Sequence, residues 1–401
     1  GGGAGGLELA TRLGRKLGRK GKARITLVDA NMTHIWKPLL HEVAAGSLNS
    51  TEDELNYVAQ GKWNHFNFQL GAMTSLDRER RTIQLAAIHD ENGDELIAPR
   101  ELDYDYLVIS VGSTTNDFNT PGAAEHCLFL DTRAQAERFH RSLLNQYMKA
   151  QASERGTTRE PINVAIIGAG ATGVELSAEL HHAAQMLRAY GFNRISPEDL
   201  NINIIEASPR LLPALPERIS GPVTEILRDL GVHLHTGSPV KEVKADRLVL
   251  GNGEEIPASL KVWAAGIRAP AFLATLGMPT NRINQLEVDR TLKVNGEERI
   301  YAFGDCAACP TDEPGKFVPP RAQAAHQQAS LLAKNLCRLL EGKPQSEYTY
   351  RDYGSLISLS SFRSAGKTPT TMRGSLQSSL NVALAEPLRR TGPARAKAWL
   401  F

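Results

Sequence analysis

Residues 164–173 read VAIIGAGATG, an apolar strand-like stretch that leads into Gly168, Gly170 and Gly173. Between a strand and a helix, glycines at this spacing let the backbone turn tightly and approach a pyrophosphate, which meets the amides of the helix N-terminus. Glu206 closes the next strand, where a carboxylate can accept hydrogen bonds from ribose hydroxyls. The stretch therefore predicts a dinucleotide-binding fold.

The acid at position 206 also bears on which dinucleotide binds. It lies farther past the glycines than the usual spacing of about 20 residues, and the insertion at 191–197 accounts for the excess as a longer connection. A carboxylate here would repel the 2′-phosphate of NADPH, so NADH is predicted. The nearby Arg210 leaves NADPH open as the alternative.

The same pattern occurs at the start of the chain. Residues 1–6 read GGGAGG and place glycines at Gly1, Gly3 and Gly6, and Asp29 ends the next strand-like segment. A glycine-rich turn alone is a weak signal, but the acid at the expected distance strengthens it. The strand that should precede the first glycine is missing, so we expect exposed neighbouring strand edges and weaker nucleotide binding.

One plan thus occurs twice: strand, glycine turn, helix, strand ending in an acid, and a later strand that closes on glycine, the second time at Gly266. This repetition and the alternation of strands and helices predict an α/β protein with two Rossmann-like domains. Two such domains predict two dinucleotides, and FAD with a pyridine nucleotide is the economical pair because hydride transfer needs a donor stacked on an acceptor.

A third element supports FAD in the first domain. Residues 300–305 form a strand that ends in Gly304 and Asp305, where the backbone can approach a flavin diphosphate and the carboxylate can bind a ribitol hydroxyl. A plain turn at a strand end is the alternative. The resulting domain prediction is 1–120 and 271–345 for FAD, 121–270 for NADH, and 346–401 as a C-terminal segment.

Composition excludes several other classes. The 401 residues carry a net charge of only +2, which predicts no strong attraction to nucleic acid. No apolar segment reaches the roughly 18–20 residues of a membrane-spanning helix. The spacing of Cys306 and Cys309 is compatible with a redox dithiol or half a metal site, but no second cysteine pair exists, so no metal site is predicted.

Taken together, the motifs resemble the two-dinucleotide-binding-domain flavoproteins of the pyridine nucleotide-disulfide oxidoreductase type, and more closely the bacterial type II NADH:quinone oxidoreductases. The resemblance extends from residue 1 to about residue 366. The segments that carry it are GGGAGGLE at 1–8, WKPLLHEV at 36–43, GAGATGVE at 168–175, WAAG at 263–266, GDC at 304–306 and AQAAHQ at 322–327.

The resemblance implies a respiratory dehydrogenase that moves two electrons from NADH through FAD to quinone without pumping protons. It implies a peripheral protein on the cytoplasmic face of the bacterial inner membrane. It also implies that Glu175 lies near nicotinamide and flavin, that Gln323 and Gln327 lie near the flavin and the quinone headgroup, and that Lys37 and Pro38 lie beside the isoalloxazine.

Each of these side chains also has a plainer interpretation. Gln323 and Gln327 are four residues apart on one helix face, where they can present amides to a carbonyl ligand or form a solvated polar surface. Glu175 can simply complement the helix dipole, and Lys37 can be an ordinary surface lysine. His41 and His326 are either proton shuttles to a reduced quinone or hydrogen-bonded structural residues.

A basic cluster and the C-terminus bear on membrane contact. The cluster at 12–24 favours a solvated helix face over contact with anionic lipid. Beyond Gly366 the resemblance fades and no long apolar face follows, so we expect that the family's membrane anchor is missing from a truncated or altered tail. The alternatives are a soluble NAD(P)H:acceptor reductase and a non-catalytic fragment without flavin; a homodimer is left open.

Overall fold

The structure is a computed structural model that describes residues 1–49, 54–152, 161–189 and 199–360, and the backbone of 363–367. The linker predicted at 153–160, the insertion at 191–197 and the tail from residue 368 onward lie outside the described residues. The α-helices are α1 (Ala4–Lys16), α2 (Leu40–Ala45), α3 (Tyr57–Asn64), α4 (Ala123–His126), α5 (Arg133–Ala152), α6 (Ala171–Ala189), α7 (Glu217–Asp229) and α8 (Ala322–Leu340).

Short 3-10 turns cover Gly18–Lys20, Lys37–Leu39, Ala271–Thr275 and Gly304–Cys306. The strands are β1 (Thr26–Asp29), β2 (Thr33–His34), β3 (Leu55–Asn56), β4 (Asn67–Leu70), β5 (Met73–Asp77), β6 (Thr82–Leu85), β7 (Ile88–His89), β8 (Glu95–Ile97), β9 (Arg100–Asp103), β10 (Leu107–Ile109), β11 (Thr114–Thr115), β12 (Leu128–Phe129), β13 (Ile162–Ile167), β14 (Leu200–Glu206), β15 (His233–Thr236), β16 (Val240–Val243), β17 (Arg247–Leu250), β18 (Glu255–Pro257), β19 (Leu260–Trp263), β20 (Ile267–Arg268), β21 (Leu286–Glu287), β22 (Ile300–Ala302), β23 (Ala307–Ala308), β24 (Ser355–Leu359) and β25 (Arg363–Lys367).

The central sheet around the second glycine loop has five parallel strands in the order β12-β19-β13-β14-β15. Its middle strand β13 is buried along nearly its whole length, as expected for a parallel strand covered by helices on both faces. The predicted strand at 162–167 is confirmed residue for residue, and α6 follows directly from the glycine turn. The glycine turn therefore lies at the carboxyl edge of the sheet, where α/β proteins bind ligands.

The first unit is built around two parallel pairs, β1 with β4 and β10 with β22, with α1 and α8 packed beside them. The helix predicted at 7–20 instead begins at Ala4 and ends at Lys16. Gly14 and Gly18 pack closely against the end of α3, since a Cβ on them would lie 2.1 or 2.2 Å from the backbone oxygens of Asn64 and His65. The 3-10 turn Gly18–Lys20 follows Lys16, so the predicted helix ends in a tighter helical turn.

Buried apolar side chains form two large clusters. One surrounds the five-stranded sheet and includes residues of α5, α6 and α7. The other joins α1, α8, β10 and β22 and includes the fully buried Tyr301 and Phe303. In the described part of the chain, no helix is both long and apolar enough to cross a bilayer.

Candidate functional site

The glycines of the second loop differ in how closely other atoms of the protein approach them. A Cβ on Gly168 would lie 2.7 Å from the backbone nitrogen of Ala265, and Gly168 has a φ of +105° that side-chain-bearing residues rarely adopt. A Cβ on Gly173 would lie 2.0 Å from the oxygen of Gly168. A Cβ on Gly170, in contrast, would have no atom within 4 Å other than those of its chain neighbours. The outer glycines are therefore required by packing, and the middle one faces open space.

The first loop shows the same difference between crowded outer glycines and an open middle glycine. A Cβ on Gly1 would lie 2.4 Å from the oxygen of Ser110, and one on Gly6 would lie 1.9 Å from the oxygen of Gly1. Nothing lies within 4 Å of a Cβ on Gly3. This is the arrangement a dinucleotide loop needs, since the middle glycine is where the backbone approaches the pyrophosphate. Both loops thus fit a diphosphate.

In both units, the acid at the end of the strand that follows the glycine loop and its helix is hydrogen-bonded to that loop in the same way. Asp29 accepts a hydrogen bond from the backbone nitrogen of Gly2 at 2.6 Å, and Glu206 accepts one from Ala169 at 2.8 Å. The other carboxylate oxygen of each acid accepts a backbone N–H two residues along the chain, at 2.8 Å from Asn31 and from Ser208. Carboxylate oxygens have further lone pairs, so both acids can still accept ribose hydroxyls.

Asp305 is held by groups that the sequence did not reveal. Its carboxylate accepts a hydrogen bond from Ser113 Oγ at 2.8 Å, and Gln328 Oε1 accepts the backbone N–H of Gly304 at 2.8 Å. Burial raises the pKa of Asp305, although Ser113 and Lys37 oppose the shift. The Gly-Asp turn is therefore fixed, by α8 on one side and by the segment after β10 on the other.

Lys37 belongs to the same region. Its Nζ donates to the backbone oxygen of Ser113 at 2.7 Å and to Asp131 Oδ1 at 3.1 Å. Asp131 in turn accepts the backbone N–H of Thr115. Lys37 is exposed, and its ammonium links the turn that contains Pro38 to the segment that holds Asp305.

Glu175 lies where three distant parts of the chain meet. Only 6% of the residue is exposed, and its Oε1 accepts the backbone N–H of Ser358 at 3.0 Å. Its Oε2 lies 3.7 Å from His41 Nδ1, and His41 Nε2 lies 3.7 Å from Glu42 Oε1. A buried polar cluster thus joins α2, α6 and β24, which is more than complementation of a helix dipole requires.

Gln323 and Gln327 both face the segment at 348–354. Gln323 Oε1 accepts the Tyr350 hydroxyl at 3.0 Å and the Tyr353 N–H at 3.2 Å. The Gln327 amide makes two bonds to the backbone of Arg351, at 2.7 and 3.1 Å. The two glutamines therefore share a helix face, Gln323 buried and Gln327 half-buried, and both bond to an extended segment that continues to Ser358.

The pair Cys306 and Cys309 lies away from solvent. All four cysteines of the chain are free, and burial raises the pKa of Cys306 to about 11 and that of Cys309 to about 12. Thiols of this kind stay protonated at neutral pH, whereas reactive cysteines are thiolates in partly exposed, electropositive surroundings. The geometry favours a structural role over a redox dithiol.

Comparisons with known proteins agree with this architecture. The family model described as pyridine nucleotide-disulphide oxidoreductase matches residues 1–329. A type II NADH:quinone oxidoreductase of Haemophilus influenzae is 45% identical over 394 residues, covering 93% of this chain and 88% of that protein. The Staphylococcus aureus protein of the same name is 28% identical, covering 91% and 88%.

The solved structure of NDH2 from Plasmodium falciparum in complex with NADH has the same fold, with a TM-score of 0.79, 20% identity and coverage of 92% of this chain and 89% of that one. The matched model spans both glycine loops and the Gly-Asp turn, and the bacterial relatives cover nearly the whole chain. The chain therefore belongs to the pyridine nucleotide-disulphide oxidoreductase family, among the type II NADH:quinone oxidoreductases.

Proposed function

We propose that this protein oxidises NADH through bound FAD and passes two electrons to a membrane quinone without pumping protons. One observation carries the proposal: two glycine loops, each backed by an acid, in which only the middle glycine faces open space. The names of the bacterial relatives support the choice of NADH and quinone as the two substrates.

FAD is assigned to the first loop and its neighbours, within residues 1–120 and 271–345. Bound there, it supplies the two-electron chemistry. The loop amides and the N-terminus of α1 favour the negative diphosphate, and the half-buried Asp305 carboxyl is a partner for a ribitol hydroxyl. The residues proposed to hold FAD are Gly1, Gly3, Gly6, Asp29, Lys37, Pro38, Gly304 and Asp305.

NADH is assigned to the second loop, within residues 121–270, with Gly168, Gly170, Gly173, Glu206 and Gly266 as its contacts. The structure favours NADH over NADPH because Arg210 is occupied elsewhere. Its guanidinium donates to the backbone oxygens of Leu212 and Pro213 and to Ser220 Oγ. The charge at the ribose end of the loop is thus the Glu206 carboxylate, which opposes a 2′-phosphate.

Glu175, Gln323 and Gln327 are proposed as the side chains that touch the reactants. They come from α6 and α8, yet all three bond to one extended segment, at Ser358, at Gly354 and Tyr353, and at Arg351. This segment holds them in fixed orientations, which positions their polar groups for the reacting atoms. We further propose peripheral contact with the cytoplasmic face of the bacterial inner membrane.

Two half-reactions test the proposal. Purified yellow protein is mixed anaerobically with NADH, and we expect the flavin absorbance near 450 nm to bleach, as flavin spectra do on two-electron reduction. Addition of a short-chain ubiquinone should then restore the absorbance. Bleaching without recovery would leave an NADH reductase with another acceptor, and protein that carries FAD but does not bleach would contradict the NADH assignment.

We expect Glu206→Gln to shift the preference between nucleotides. The amide oxygen can still accept the Ala169 N–H, the bond from the Ser208 N–H is lost, and the charge that repels a 2′-phosphate is removed. The ratio of kcat/KM for NADH to that for NADPH should fall about tenfold, since like-charge contacts at binding sites are costly. Glu217→Gln, a nearby acid at the start of α7, serves as the control. An unchanged ratio would place the 2′ position elsewhere.

A further inference from the structure

His326 lies between three elements that the chain brings together. It belongs to α8, its Nδ1 pairs with Glu8 of α1, and its ring lies 5.6 Å from the ring of Trp36 at a tilt of 30°. Its Nε2 is buried and has no hydrogen-bond partner among the residues that the structure describes. Buried polar atoms nearly always have partners, so a lone imidazole nitrogen indicates a group that arrives with a ligand.

Glu8 is bound from several sides. Besides His326, it accepts hydrogen bonds from Arg12 Nε at 2.6 Å and Ser330 Oγ at 3.0 Å. Burial by itself raises the pKa of Glu8, but the bonds from His326 and Arg12 outweigh it and hold the pKa below its usual value. Glu8 is therefore ionised at neutral pH. A carboxylate on Nδ1 fixes the tautomer and the orientation of the ring.

The other titratable group near the ring is His34 of β2. Burial lowers the pKa of His34, and His326 adds to the effect, while its bond with the Gly2 backbone and Asp29 oppose it. His34 is therefore neutral, whereas the Glu8 carboxylate, itself paired with Arg12, contacts His326 from α1. The location of His326 also supports a role in the reaction. His326 lies one helical turn from Gln323 in α8, and its ring neighbour Trp36 directly precedes Lys37 in the chain.

We propose that Glu8 is a positioning residue, which orients His326 so that Nε2 donates a proton to the quinone oxygen. This rests on the proposed function. The overall reaction, NADH + quinone + H⁺ → NAD⁺ + quinol, takes two electrons and one hydrogen nucleus from NADH and needs one further proton. That proton leaves Nε2 as its N–H bond breaks and a quinol O–H bond forms, and water then returns a proton to the imidazole.

Glu8→Gln tests the proposal, with Glu341→Gln as the matched change at the exposed end of α8. Protein reduced anaerobically with NADH is mixed with short-chain ubiquinone over a range of pH. We expect the Glu8→Gln reoxidation rate at about pH 8 to fall about tenfold, within the usual range for proton donors. The alkaline limb of its pH profile should move to lower pH. Reoxidation by ferricyanide, which takes electrons without protons, should stay unchanged.

The outcomes separate the two proposals. If the unaltered protein fails to bleach with NADH or to reduce quinone, the proposed function is wrong. If it does both, and Glu8→Gln keeps the same quinone rate and pH profile, the role of Glu8 is wrong. Equal losses with quinone and ferricyanide would also overturn it, since they indicate a structural defect. Should Glu8→Gln lose its flavin, Glu8→Asp replaces it: because the shorter carboxylate no longer reaches Nδ1, we expect its quinone rate to fall and its ferricyanide rate to stay unchanged.

Discussion

Gly170→Val is expected to prevent reduction of the bound flavin by NADH while leaving the flavin in place. No atom of the protein lies within 4 Å of a Cβ at this position, so the substitution is compatible with the fold. The valine side chain would instead fill the space through which the nucleotide diphosphate must approach the loop. Overpacking of this kind costs up to about 3 kcal/mol, or about 100-fold in affinity for NADH.

The measurement is the concentration of NADH that half-saturates the rate of flavin bleaching, observed anaerobically by stopped flow. The flavin content and thermal unfolding of the variant should match those of the unaltered protein. Gly221→Val is a useful control, because Gly221 in α7 also has no atom within 4 Å of a Cβ but lies outside the loop. Normal half-saturation by NADH in Gly170→Val would mean that this loop does not hold the nucleotide.

Gly3→Val should have an equally large effect on the other nucleotide. Here too the position faces open space, and the valine would occupy the path of the flavin diphosphate. We expect protein that folds but is purified nearly without flavin, with FAD affinity lowered about 100-fold by the same overpacking cost. Gly6→Val provides the contrast. Its Cβ would lie 1.9 Å from the Gly1 oxygen, so the fold itself should be destabilised.

Flavin bound per protein, read from absorbance, and far-ultraviolet circular dichroism distinguish these results. Gly3→Val should keep the dichroism and lose the flavin, whereas Gly6→Val should lose both. A yellow Gly3→Val protein with full flavin content would contradict the assignment of FAD to this loop. Unfolding of Gly3→Val would show that the open space beside Gly3 is needed by the protein chain itself.

Local pattern was sufficient for much of the fold. The strand at 162–167, the glycine turn and the long helix after it were predicted correctly, because a buried parallel strand and a tight turn each leave a dense signal in consecutive residues. The acids Asp29 and Glu206 were found for the same reason. The helix end at Lys16 was not, because the sequence pattern does not distinguish an α-helix from the 3-10 turn that follows it at Gly18–Lys20.

Two glycine loops, their acids and a Gly-Asp turn can be recognised from residue order alone, because the pattern of each is contained in a few adjacent positions. Packing of distant segments brings Lys37 to the segment that holds Asp305, joins Gln323, Gln327 and Glu175 to one segment, and pairs Glu8 with His326. These partners lie far apart in the chain. Their pairing follows from how helices pack across the sheets, which no local pattern specifies.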